Sequence, residues 1–198
     1  DTSSKVKNSL AAKFEAGERV RAYAPLGYKK HPDVKNKLVI DEKTSWIIRR
    51  IYTLAFYGAG AAKITRTLTQ EKIPTPGWLN YQRDGTFANI YRDAPEEKRY
   101  AWTIAQVKSI LKDETYIGNT IHYRETNILY KNKKRIRKPQ SEWMRVEGTQ
   151  EAIISKEDFE RVQQQIASRR RKQKNATTQI FAGLVRCADC GWSMKFAT

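Results

Sequence analysis

Histidine, cysteine and acidic side chains are in short supply in this chain, and each shortage removes a class of function. Its 198 residues include two histidines and two cysteines. Cys187 and Cys190 stand three apart and cannot make a disulfide framework, so an intracellular, reducing compartment is expected. His31 and His122 have no evident partners for a catalytic triad. There is no P-loop, no H-E-x-x-H and no nucleophile elbow. Carboxylates such as Asp41 and Glu42, or Glu96 and Glu97, sit where helix caps and solvated loops account for them. Nor is there a long apolar run. The longest uncharged apolar stretch, residues 51–62, falls short of the roughly 20 residues a membrane-spanning helix needs. The N-terminus is polar and charged, unlike a signal peptide. It carries no start methionine, and the chain reads as a piece of a longer protein. No repeat recurs at a period of about 20–50 residues.

What remains is strongly cationic. Lys and Arg number 38 against 21 Asp and Glu, a formal net charge of +17. A folded domain with that charge repels itself unless a polyanion neutralises it. With a membrane span excluded by length, nucleic acid is the expected partner. Hydrophobic residues at 39% and aromatics at 11% are enough for a globular core.

Periodicity divides the chain. Leu10, Ala11 and Phe14 mark a short helix. Arg19, Arg21 and Ala24-Pro25-Leu26-Gly27-Tyr28-Lys29-Lys30 then make a basic arm or turn, since Pro and Gly oppose a helix there. A strand is expected over residues 37–40. Asp41 is placed to cap a helix with Ile47, Ile51 and Leu54 inward, widened by Trp46 and Ile48, and stopping at Gly58. A second helix follows over residues 61–71, with Ile64 and Leu68 inward. Residues 77–101 show no clear period. Thr103-Ile104-Ala105-Gln106 is a capping box that opens a third helix to about Lys112, with Ile104, Val107 and Leu111 inward. Strand-like stretches follow at 116–123, 127–131 and 143–146, and a basic run at 131–138 contains Lys133, Lys134 and Arg135. Ser155 and Asp158 cap a last helix carrying Phe159, Val162 and Ile166, which leads into a second basic run, 169–174.

Three features could carry the chemistry, each with a plainer alternative. The outward face of the third helix offers Thr103, Ala105, Gln106, Ser109 and Lys112, with Lys108 to one side. In a helix-turn-helix unit such a helix puts its first residues at base edges, where Gln pairs with adenine and Ser or Thr bonds either partner. Alternatively, Gln106 only completes the capping box and the lysines are solvated. Arg19 and Arg21 on the arm suit a minor groove, whose negative potential attracts arginine, or belong to a solvated linker. The basic runs suit phosphates, which supply affinity without sequence reading. Cys187 and Cys190, followed by Gly191, form a C-x-x-C knuckle of the zinc-ribbon kind. This is half of a four-ligand site, and a redox dithiol would lack its usual βαβ surroundings.

The order of the motifs narrows this. Ala24-Pro25-Leu26-Gly27-Tyr28, Leu38-Val39-Ile40-Asp41-Glu42, Ile47-Ile48-Arg49-Arg50-Ile51-Tyr52, Gly58-Ala59-Gly60-Ala61-Ala62-Lys63-Ile64 and Ile73-Pro74-Thr75-Pro76 occur in sequence. Trp102-Thr103-Ile104-Ala105-Gln106-Val107-Lys108-Ser109-Ile110-Leu111, Tyr116-Ile117-Gly118, Glu157-Asp158-Phe159, Val162-Gln163 and Gly183-Leu184-Val185-Arg186-Cys187 complete the set. The set resembles the large serine recombinases, the integrases and transposases of phages and mobile elements. The resemblance implies an α+β fold: a helix-turn-helix-like helical core with a small antiparallel sheet or hairpin, followed by the start of a zinc ribbon. It implies the end of a linker helix and arm over 1–22, a DNA-binding recombinase domain over 23–174, and a linker with the opening of the ribbon over 175–198. Residues 19–24 would cross the minor groove, the helix at 103–112 would enter the major groove, and Cys187 and Cys190 would be the first zinc pair. Lys29 and Lys30, with the basic run, would add phosphate contacts. The implied function is sequence-specific binding of duplex attachment sites in a bacterial or phage cytoplasm, with no membrane. Strand exchange through 5′-phosphoserine links and self-association would fall to a separate catalytic domain, so Ser3 and Ser4 are not its nucleophile. Two other classes stay open from the residues: a basic RNA-binding protein, and a nuclease requiring a divalent metal.

Overall fold

The computed structural model describes residues 2–129, 132–168 and 188. Helix α1, Thr2–Glu15, leads into an irregular arm. Strands β1 (Tyr28–Lys30) and β2 (Leu38–Ile40) then pair antiparallel, with Tyr28 opposite Ile40 and Lys30 opposite Leu38. His31 tightens the turn between them, its Nδ1 accepting from the backbone of Asp33 and Val34. Asp41 is the cap expected of it: its carboxylate accepts from the Lys43 backbone and from the Thr44 hydroxyl, opening α2, Glu42–Phe56. That helix ends where Gly58 takes φ 87°, a left-handed conformation that costs glycine little. Helix α3, Ala61–Gln70, follows, with Ile64 and Leu68 completely buried.

Helix α2 buries Ile47, Ile48, Ile51, Tyr52 and Ala55, a stripe at helical spacing. Two positions expected to belong to it do not. Leu54 is half-buried, and Trp46 is 46% exposed, its indole N–H donating to the carbonyl of Lys43. A large aromatic can lie along the outside of a helix when its one polar atom finds a backbone partner.

The stretch without a period, after Ile73, holds two helices. Thr75 caps α4, Pro76–Asp84, and Pro76 occupies the first turn, where its missing N–H costs nothing. Helix α5, Ala88–Tyr91, and a 3-10 turn, Glu96–Arg99, complete the insert. None of these three elements buries a residue fully, so no apolar stripe was there to be read. Trp78, Tyr81 and Tyr91 instead pack on one another, with Arg99 lying 4.6 Å over the Trp78 ring. Glycine at 77 makes this possible, because a Cβ there would come within 2.5 Å of the Tyr91 hydroxyl. The insert closes on itself where the Thr75 backbone N–H donates to the carbonyl of Arg99.

Helix α6, Ile104–Leu111, packs on both α2 and α3, and α2 packs on α3. Its buried residues are Val107, Ile110 and Leu111; Ile104, expected inside, is 44% exposed. Beyond α6, residues 114–117 form a 3-10 turn rather than the start of a strand, capped by Asp113 and ended by Gly118 at φ 90°. A Cβ on Gly118 would come within 2.8 Å of the Gln150 carbonyl, so only glycine fits that approach. Strand β3, Thr120–His122, is therefore short. Strands β4 (Glu125–Leu129) and β5 (Asn132–Arg137) pair with each other as a hairpin with a register irregularity between Asn127 and Leu129. Strand β6, Met144–Val146, returns to pair antiparallel with β3. Helix α7, Lys156–Ser168, opens on the Ser155–Asp158 box and buries Phe159 and Val162. The result is a helix-rich α+β fold with three two-stranded antiparallel sheets among the described residues. Contacts separate a compact body, Asp1–Gln165, from a second unit, Ile166–Thr198. Among the described residues, no helix is long and apolar enough to cross a membrane.

The core depends on the α2–α3–α6 packing. Leu68→Ala is expected to lower unfolding free energy by about 2–5 kcal/mol, the range for truncating a fully buried leucine, read as a lower urea midpoint with an unchanged slope.

Candidate nucleic-acid interface

Helix α6 is mounted from every side but one. At its start the Thr103 hydroxyl accepts from the Gln106 backbone N–H, and the Gln106 carboxamide oxygen accepts from the Thr103 backbone N–H at 2.8 Å and from its hydroxyl at 3.1 Å. At its far end the carbonyls that a helix leaves unpaired have side-chain partners. The Tyr52 hydroxyl donates to the carbonyl of Ile110 at 3.1 Å and the Gln163 amide to that of Leu111 at 2.6 Å. Val107, Ile110 and Leu111 close the inner face. The outer face is left with Thr103, Ile104, Ala105, Lys108, Ser109 and Lys112, all exposed. Gln106 is half-buried, and its amide oxygen is committed to the box. A two-point pairing with adenine uses both the oxygen and the nitrogen of an amide, so Gln106 could make it only by giving up the cap.

The two arm arginines part company. Arg21 is exposed, whereas Arg19 turns inward and donates to the Thr115 hydroxyl at 3.1 Å. Thr115 in turn donates to Asp113 at 2.9 Å, and Arg124 donates to the same carboxylate oxygen at 3.0 Å. Burial lowers the Arg19 pKa, and Asp113 pulls it back up. For Asp113, burial pushes the carboxyl up, but Arg124, the bonds from Thr115 and Arg19 together hold it below the ordinary carboxylate range. His122 lies in the same neighbourhood, stacked on Phe14 with ring centres 4.0 Å apart. Burial first, then Arg21, Arg19 and Arg124, push its pKa down to about 4, and its Nε2 is buried without a hydrogen-bond partner.

Lys29 and Lys30 are exposed on β1. Lys133, Lys134 and Arg135 lie along β5, where Arg135 stands opposite Asn127. The base of the hairpin is clamped in a way the sequence did not suggest. Arg124 and Arg137 lie over the Trp143 ring at 5.4 and 5.3 Å, and the indole N–H donates to the carbonyl of Lys138. The signal was available as one tryptophan soon after a basic strand, but nothing in spacing says that the two arginines meet on it. Cys187, Cys190 and the basic run 169–174 lie outside the described residues. Among the described residues, no group of three or more His, Cys, Asp or Glu side chains could hold a metal ion.

A rigidly seated basic helix, a basic hairpin and an arm anchored at Arg19 define an α+β module that presents cationic elements on a firm core. The Recombinase family profile matches residues 42–169, and the chain belongs to this recombinase family. The uncharacterized protein YefB of Bacillus subtilis (strain 168) is 30% identical over 95 residues, which is 48% of this chain and 32% of that protein. Among solved structures, the crystal structure of an LSR–DNA complex matches with a TM-score of 0.55 at 18% identity, covering 96% of this chain and 46% of that one. A structure from work on the sequence requirements of the Listeria innocua prophage attP site matches with a TM-score of 0.53 at 17% identity, covering 96% of this chain and 63% of that one. At these identities the two structures establish a shared fold. The chain spans less than two thirds of the length of each of these relatives.

Two measurements check the site's architecture. Thr103→Ala and Gln106→Ala each remove half of the capping box, and each is expected to cost about 1 kcal/mol of stability in chemical denaturation. The second concerns pH. The folded-state pKa of His122 is depressed, so the unfolded chain binds the proton first. Stability is full above about pH 6.5 and falls as pH drops from there toward 4. Asp113, also depressed, adds a further loss only below about pH 4, as its carboxylate protonates. His122→Phe is expected to remove the loss between pH 6.5 and 4 and leave the lower one.

Proposed function

We propose that this chain is the DNA-recognition part of a large serine recombinase and binds duplex attachment sites in a sequence-specific manner. The observation that carries the reading is α6: a helix capped at both ends, packed on α2 and α3, and turning Lys108, Ser109 and Lys112 outward in a chain of the Recombinase family. In this reading α3 and α6 act as a helix-turn-helix pair, with α6 in the major groove. Thr103 and Ser109 offer hydroxyls to base edges, Lys108 and Lys112 meet phosphates, and Gln106 serves the helix start. Arg21 takes the minor groove. Arg19 holds the arm down, while Lys29 and Lys30 on β1 and Lys133, Lys134 and Arg135 on the hairpin add phosphate contacts. The division into 1–22, 23–174 and 175–198 follows from the same reading. The net charge of +17 supports it, because counterion release on phosphate binding supplies most of the affinity of such a surface.

The parent protein's strand exchange through phosphoserine links, and its self-association, are assigned to a catalytic domain separate from residues 23–174. This chain binds without cleaving. Cys187 and Cys190 would supply two of the four ligands that a structural zinc takes.

The test is enrichment from a randomised duplex library, then fluorescence anisotropy on the enriched site with scrambled duplex and RNA as competitors. Preference for the enriched site at physiological salt is the expected result. Equal binding to all three would reduce the protein to a general polyanion binder. Affinity is also expected to fall steeply with salt. Lys108→Ala and Lys112→Ala should each weaken cognate and scrambled binding alike and reduce the slope of log affinity against log salt by about 1.

A further inference from the structure

The aliphatic residues of α6 divide sharply. Val107 is 0% exposed, Ile110 8% and Leu111 3%, but Ile104 is 44% exposed. Ile104 is the first residue of the helix, next to the cap at Thr103, and Ala105 beside it is also exposed. This is not a frayed end. The capping box fixes the backbone on both sides of Ile104, so the direction in which the side chain leaves the helix is set before any partner arrives. Water gains nothing from an isoleucine held there, and the core does not use it.

The surroundings say what kind of partner fits. Lys108, one turn on, and Lys112 flank the patch with positive charge, in a chain carrying +17. A partner must therefore pair a polyanionic frame with a small apolar group in reach of the first helical turn. The major groove of DNA offers one such group, the C5 methyl of thymine. Duplex RNA does not, because uracil lacks the methyl and its major groove is too deep and narrow to enter. Gln106, the residue best suited to reading adenine, has its amide oxygen held in the cap, which leaves the first turn an apolar reading surface with the Thr103 hydroxyl at its edge.

We propose that Ile104, with Ala105 beside it, is a specificity-determining contact that packs on a thymine methyl in the major groove. This rests on α6 facing DNA as set out above. It assigns to an apolar side chain the reading of the thymine methyl, which the hydroxyls of Thr103 and Ser109 cannot make.

The probe is the site enriched from the randomised duplex library, with its thymines replaced one at a time by deoxyuridine. Deoxyuridine keeps the base pair and deletes only the methyl. The expected result is one position, or two neighbouring ones, where the replacement weakens wild-type binding roughly fourfold, the equivalent of one methyl group moved back into water. Ile104→Ala should bind thymine and deoxyuridine versions of that position equally and keep its affinity for scrambled duplex, whereas Ile104→Val should keep part of the discrimination. Ile104 lies outside the core, so the melting temperature of both variants is expected to match the wild type. If no position is sensitive to loss of the methyl, or if Ile104→Ala keeps the wild-type sensitivity, the inference is overturned while sequence-specific binding stands. If the library yields no enriched sequence, both fall together.

Discussion

The exposed face of α6 is available to a partner only because the other side of this eight-residue helix is buried. Val107, Ile110 and Leu111 are drawn into the core where α2 and α3 meet, and Tyr52 and Gln163 take up carbonyls that the end of α6 would otherwise expose. A helix this short is not stable alone in water. Tertiary packing and its caps hold it together, and they also decide which face remains for a ligand. Side chains on such a mount are already ordered, so a partner that engages them costs less conformational entropy than one that engages a flexible segment.

The arm and the foot of the hairpin are linked to the end of α6 around a single carboxylate. Asp113 follows α6 directly, caps the next turn, and accepts from Thr115 and Arg124. Through Thr115 it reaches Arg19 on the arm. Arg124, at the foot of the hairpin, also lies over Trp143 together with Arg137. In a chain with 38 basic residues, one partly buried acid thus gathers an arm and a hairpin that would otherwise repel each other. An isolated surface ion pair is worth little. Here the value lies in geometry, because Thr115 and Arg124 both bond to Asp113 and Arg19 bonds to the same Thr115 hydroxyl.

The insert between Thr75 and Arg99 follows different rules. It packs aromatic faces and a guanidinium against one another near the surface and closes with a backbone bond between its ends. Aromatic and cation–π contacts do not need burial at helical spacing. The insert is therefore orderly without being periodic, and for that reason residues 77–101 showed no clear period in the sequence although two helices lie there.

The sequence by itself determined the caps, the stops and the buried stripes. Asp41, Gly58, Thr103 and Ser155 act over a few residues of chain, and Ile64 and Leu68 are inside because helical spacing puts them together. Local chemistry of this kind is complete within one turn of backbone. What only the tertiary structure decided is where each side chain goes once several elements compete for it. Trp46 and Ile104 have the composition of core residues, and both are exposed, while Ile47, Ile48 and Ile51 of α2 and Val107, Ile110 and Leu111 of α6 are the residues that face inward. Arg19 and Arg21 look alike on the arm, yet one turns inward because Thr115 and Asp113, nearly a hundred residues away, come to lie beside it. Propensity and periodicity register neighbours in sequence, and these outcomes were set by neighbours in space.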